Sequence, residues 1–107
     1  MADSEVVGVV RRYLKLLQAK GLRAERAVLY GSHAKGTAAE YSDIDVLILS
    51  TDFGKDRVAE GQFLFRMARL VDSRIEPVPI HPSEYREDPD SPLIHSALNE
   101  GVEILSS

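Results

Sequence analysis

The sequence predicts an α/β (α+β) fold, with helices packed on a single small mixed sheet of three to four strands. Three observations predict it. Apolar residues Val6, Val9, Val10, Tyr13, Leu14, Leu16 and Leu17 recur at helical spacing. Residues 44–50 form a β-branched run, continuously apolar in its middle, which is the pattern of a strand covered on both faces. Segments of the two kinds alternate: helix, strand, turn-helix, strand, helix, strand, helix, strand.

The first helix spans residues 4–20, with Asp3 or Ser4 as its cap and Gly21 as a left-handed stop. A short strand follows over 26–30. Gly31, Ser32 and Gly36 mark a tight turn with one helical turn inside it, and 37–42 is a polar loop. After the 44–50 strand, Asp56 can cap a helix over 57–71 whose inward stripe would be Phe63, Leu64, Met67, Leu70 and Val71. Residues 74–81 alternate as a strand, and Pro77 and Pro79 put it at an edge or a bulge. The Pro- and Asp-rich stretch 81–92 reads as a loop. Ser91-Pro92 opens a last helix that Gly101 ends, and 102–105 adds a final strand.

A chain of 107 residues is expected to form one domain over 1–107. With 44% hydrophobic and 28% charged residues it has the composition of a soluble globular protein. No apolar run approaches bilayer length, so no membrane association is expected. No basic start precedes a long apolar stretch, so no secretory signal is expected and the cytoplasm is the default location. The absence of cysteine excludes a disulfide framework and a cysteine zinc site. A net charge of -4 argues against direct nucleic-acid binding, since phosphate contacts by Lys and Arg supply most of that affinity. An acidic chain can still handle a phosphate-bearing small molecule where a metal ion neutralises the charge locally.

Chemistry gathers at three places. Gly31-Ser32 follows a strand, where a glycine admits close backbone approach and a helix start offers unpaired N–H groups to phosphate; by itself this reads as a plain turn before it reads as a site. Asp43 and Asp45 lie two apart at a strand start and so share one face, while Ile44 turns to the other. Adjacent carboxylates raise each other's proton affinity unless a cation sits between them, and hard oxygen ligands of this kind suit Mg²⁺. The alternative is a polar strand end with one Asp capping and the other exposed. Glu76 interrupts the apolar pattern of 74–81; it is either a third carboxylate for the same cluster or a solvent-facing edge residue.

The run Gly31-Ser32-His33-Ala34-Lys35-Gly36, followed by Ser42-Asp43-Ile44-Asp45-Val46, resembles the signature of the polymerase-β-like nucleotidyltransferase superfamily. Within it, the short chain resembles the minimal nucleotidyltransferases of prokaryotes, over roughly residues 29–80. The resemblance implies the nucleotidyltransferase fold and a metal-dependent transfer of a nucleoside monophosphate, AMP from ATP, to a hydroxyl. It implies that Asp43 and Asp45 hold two Mg²⁺ ions, that Glu76 completes one metal site, and that Gly31, Ser32, Lys35 and Ser42 bind the nucleotide. Many minimal members carry Arg where His33 and Lys35 stand; His33 here reads as a solvated loop residue.

Minimal members are commonly paired with helical proteins of the HEPN class as toxin and antitoxin, the transferase adenylylating a hydroxyl on the toxin. An antitoxin-like protein adenylyltransferase is therefore the first expectation. The alternatives are a binding module that neutralises its partner by contact and a transferase for a small molecule such as an aminoglycoside. The last needs an acceptor pocket that a homo-oligomer could supply. Tyr30 and Tyr41 bracket the glycine-containing loop and are expected to pack. His81 and His95 are expected as surface or capping groups, and the charge run 84–88 as a solvated loop.

Overall fold

The computed structural model describes residues 3–106 apart from 25, 40 and 88–90; at 86, 87, 93, 95, 96 and 98 it describes the backbone alone. In chain order the elements are α1 (Ser4–Ala19), β1 (Arg26–Tyr30), α2 (Ser32–Lys35), β2 (Ile44–Leu49), α3 (Arg57–Arg69), β3 (Ile75–Ile80), α4 (Pro82–Glu87), α5 (Pro92–Glu100) and β4 (Val102–Leu105). The expected mixed sheet is present, with four strands in the order β3-β2-β1-β4.

Helix ends are set by the residues the sequence offers for them. The Asp3 carboxylate accepts from the Glu5 N–H at 2.8 Å. At the other end of α1, Gly21 adopts φ 92°, and the N–H groups of Gly21 and Leu22 donate to the carbonyls of Gln18 and Leu17. This paired closure needs a left-handed residue, which glycine adopts without steric cost. Asp56 caps α3 by accepting from Ala59 N–H at 3.1 Å, and Ser91 caps α5 with Pro92 at its first position.

The stretch 81–92 is not simply a loop, because α4 occupies its first half. His81 supplies the missing start signal. Its Nδ1 accepts from the Ser83 N–H at 3.1 Å, while its own N–H donates to Glu84 Oε1 at 3.3 Å. That reciprocal arrangement is a capping box built on histidine, so His81 is a capping group as expected. The Arg86 and Glu87 side chains and Asp88, which completed the expected charge run, lie outside the described residues, as does the His95 side chain.

β1 pairs antiparallel with β2 and with β4, whereas β3 runs parallel to β2. A parallel pair needs a crossover, and α3 provides it. Pro77 and Pro79 sit in β3, an edge strand, where a missing N–H donor costs no ladder bond on the open side. Alternation along β2 divides the core in two. Ile44, Val46 and Ile48 join α1 and α3 on one face, with Leu14, Leu17 and Leu64; Leu47 and Leu49 face Ile80, Ile94 and Ala97 on the other.

In α3, Leu64 and Ala68 are buried and Phe63, Met67 and Val71 pack partly against the core. Leu70 departs from the expected inward stripe: it is 68% exposed. Six positions beyond Leu64 a helix has turned by about 240°, which carries that side chain away from the sheet.

Tyr13 is fully buried, and its hydroxyl donates to the Leu64 carbonyl at 2.7 Å, tying α1 to α3. Removing the hydroxyl by Tyr13→Phe should lower the unfolding free energy by about 1 kcal/mol, the net worth of a typical internal hydrogen bond. Urea titration would check this, with the midpoint moving and the slope unchanged.

Candidate active site

The sheet's register brings the expected carboxylates to one place. Tyr30 at the end of β1 lies opposite Asp45 near the start of β2, and Asp45 lies beside Glu76 near the start of β3. On each strand the residue two positions further into the sheet (Val28, Leu47 and Val78 in turn) belongs to the core face shared with α5. Side chains two apart on a strand share a face, so Tyr30, Asp45 and Glu76 form a cross-strand row on that face. Asp43 precedes β2 and continues the alternation toward solvent. Its charge and that of Glu76 both act on Asp45.

Asp45 is half-buried, and burial raises its proton affinity first, the charges of Asp43 and Glu76 second; His33 pulls weakly the other way. Tyr30 is pushed up to about 12 by burial and by the charges of Asp45 and Glu76, so its phenol stays protonated at neutral pH. Among the described residues no ion pair involves Asp43, Asp45 or Glu76. No described Lys or Arg therefore pairs directly with the cluster's negative charge.

Gly31 closes the row from the side. Its backbone lies at φ 74°, ψ -152°, a region essentially restricted to glycine. A Cβ at this position would stand 2.6 Å from Asp45 Oδ2. Both the turn and the space are thus reserved for a residue without a side chain. α2 follows as one helical turn ended by Gly36, itself left-handed at φ 76°.

His33 differs from the solvated residue the sequence suggested. It is 8% exposed, and its Nε2 lies 3.0 Å from the carbonyl oxygen of Ser42. The imidazole fastens α2 to the segment that enters β2, a job invisible in a polar loop sequence because its partner is a backbone atom. The Ser42 hydroxyl accepts from the Ala39 N–H at 2.9 Å, which shapes the same loop. Lys35 is held at 3.2 Å by Glu100, at the end of α5. Tyr30 packs as expected, whereas Tyr41 does not: it is 85% exposed. A cavity of about 540 Å³ lined by Asp3, Glu5, His33, Tyr41 and Arg74 opens between the start of α1 and the loop after α2; none of Asp43, Asp45 and Glu76 lines it.

Among the described residues no three His, Asp or Glu side chains close into a ready metal cage. The donor set nonetheless fits Mg²⁺. That ion usually takes one or two carboxylates and fills its remaining positions with water and substrate phosphate oxygens. An open row of oxygen ligands with unbalanced charge suits such binding better than a closed cage would.

Two outcomes follow from this geometry. Folded Asp45 holds its proton more tightly than unfolded Asp45, so from the ordinary aspartate range up to its raised folded value the folded chain binds more protons and stability falls as pH rises. Asp45→Asn should therefore raise the melting temperature of chelator-treated protein at neutral pH and flatten its decline with pH; calorimetry across the carboxylate range checks both. Gly31→Ala should cost roughly 1–3 kcal/mol of stability from backbone strain alone, read by urea titration.

Comparison with known proteins matches the chain to a family model described as a nucleotidyltransferase domain over residues 10–104. Two proteins of Methanocaldococcus jannaschii, both provisionally named protein adenylyltransferase, are similar to it. One is 31% identical over 79 residues, covering 66% of this chain and 51% of that protein. The other is 28% identical over 104 residues, covering 94% of this chain and 99% of that protein. The chain thus spans about half the length of the first and nearly all of the second. Among solved structures, a toxin–antitoxin complex with AMP-PNP superposes with TM-score 0.64 at 24% identity, over 91% of this chain and 73% of that one. A provisionally named nucleotidyltransferase from Sulfolobus solfataricus superposes with TM-score 0.59 at 16% identity, over 77% and 72%. The structural likenesses speak for the fold, and the family model covers the sequence from within α1 to within β4: the chain belongs to the nucleotidyltransferase domain family.

Proposed function

We propose that this chain acts as a single Mg²⁺-dependent protein adenylyltransferase unit, moving AMP from ATP to a hydroxyl on a partner protein. The observation that carries the reading is the row of Asp45 and Glu76, in register and joined by Asp43, with no described Lys or Arg paired to it. Asp43 and Asp45 would hold both metal ions, with Glu76 completing the site of one. Mg²⁺ bound there would lower the proton affinity of the incoming hydroxyl and neutralise the triphosphate. Gly31, with no side chain in the way, and Ser32 at the start of α2 would seat the triphosphate, helped by Ser42 and, once released from Glu100, by Lys35. The hydroxyl oxygen would then attack the α-phosphorus in line, its proton passing to water, as the bond to the bridging oxygen breaks and pyrophosphate leaves. Positioning and charge stabilisation supply the rate.

The relatives' names support a protein as acceptor, and the AMP-PNP complex supports ATP as donor. The toxin–antitoxin neighbours support a toxin partner, for which a helical HEPN-type protein is our choice, in the cytoplasm. One neighbour, a MntA–HpeT pair with TM-score 0.62, carries two aspartates changed to glutamate, so such residues have drawn mutation there.

A second reading has its own observation. Lys35 is engaged by Glu100 and His33 by a backbone carbonyl, so neither basic side chain of α2 is free for phosphate. On this reading the chain restrains its partner by contact alone. Incubation with labelled ATP, Mg²⁺ and a HEPN-type candidate partner separates the two. Catalysis predicts label on the partner, reduced by roughly 100-fold or more in Asp45→Asn, as for loss of a principal electrostatic group. Neutralisation of the partner that is undiminished in Asp45→Asn, with no label transferred, would leave contact alone.

A further inference from the structure

We infer that the outer face of α3 is a docking surface for an acidic amphipathic helix of a different protein. This rests on the reading that the acceptor belongs to a partner, and it says where that partner is held.

The sequence of α3 commits only one side of the helix to the core, through Leu64 and Ala68. The flank about 100° round from Leu64 exposes apolar groups without need: Val58 is 71% and Phe65 40% exposed. They lie seven positions apart, two helical turns, and so on one stripe. Between them Gly61 leaves the surface open, since a Cβ there would meet nothing within 4 Å. The result is a shallow depression of about 540 Å³ bounded by Arg57, Val58, Phe65 and Arg66. A partner side chain at helical spacing would fill it.

The charge around the depression is one-sided. Arg69 stacks on the Phe65 ring, its guanidinium carbon 4.3 Å from the centroid. Arg57 is paired with Glu84 of α4, while among the described residues neither Arg66 nor Arg69 has an ion-pair partner. The single carboxylate of α3, Glu60, is turned into the preceding loop, where it accepts from the N–H groups of Gly54, Lys55 and Asp56. A chain of net charge -4 thus presents an apolar stripe edged by positive charge and no free carboxylate. Complementarity selects a partner whose apolar stripe is flanked by Glu or Asp. A second copy meeting face to face across a two-fold would set arginine against arginine. Because α3 returns antiparallel to β2 and β3, its Arg66–Arg69 end lies at the end of the sheet that carries Asp45 and Glu76. A helix held here would lie across the sheet from the row of Asp45 and Glu76, with its Arg66–Arg69 end at the same end of the sheet.

The test uses the whole chain and a fluorescent helical peptide with leucines at i, i+3, i+4 and i+7 flanked by glutamates. A matched peptide with lysines in place of the glutamates is the control. The glutamate peptide should bind and the lysine peptide should not, with affinity falling as salt rises. Phe65→Ser and the pair Arg66→Glu, Arg69→Glu should each weaken binding tenfold or more, while Mg²⁺-dependent ATP binding stays at the parent level. Equal binding of both peptides, or no response to either variant, overturns the inference. So does self-association in sedimentation that Phe65→Ser abolishes, or single-stranded DNA binding that the double arginine variant abolishes. ATP binding is measured separately, so a failed docking surface leaves the transferase reading standing, and loss of ATP binding in the parent chain sinks that reading alone.

Discussion

The register of β2 is the constraint on which the rest of the structure depends. This strand is central, with β1 on one side and β3 on the other, and both of its faces are buried. A slip of one residue would exchange Val46 and Ile48 with Leu47 and Leu49 between two differently shaped cores. Hydrophobic packing thereby fixes which way Asp45 points, although Asp45 itself contributes nothing to that packing. The carboxylate is carried into position by its neighbours.

What packing imposes, electrostatics resists. Asp43, Asp45 and Glu76 share a small region at the end of the sheet, and their mutual repulsion adds to the cost of half-burying Asp45. Gly31 tightens the region further by giving the carboxylate room against bare backbone. That repulsion is unfavourable energy, which the Mg²⁺ proposed above would relieve on binding. Local rules of stability fail where function is concentrated, and here they fail together.

Much of this was legible in the chain. Periodicity revealed α1 and the covered strand β2, Pro77 and Pro79 pointed to an edge or a bulge for β3, and the spacing of Asp43 and Asp45 placed two carboxylates on one face. The parallel pairing that sets Glu76 beside Asp45 was not readable, because strand order depends on how α3 crosses the sheet. His33 was misjudged for a related reason: its partner is the Ser42 carbonyl, and backbone acceptors leave no mark in sequence. α4 was hidden among prolines and acids, since a histidine cap is an uncommon start signal. Tyr41 was expected to pack and stands in solvent, where an aromatic in a short loop had no core within reach.

The pairing of β1 with β4 carries a cost during folding. β1 meets β2 after one short loop, but its other edge must wait for Val102–Leu105, which follows every other element in the chain. Until that late strand arrives, Arg26–Tyr30 offers an unsatisfied row of backbone donors and acceptors along that edge. Such an edge is a template for pairing with another chain. A nucleating region limited to the early elements would therefore be sticky, and dilute, cold refolding would favour recovery of monomeric material over aggregates.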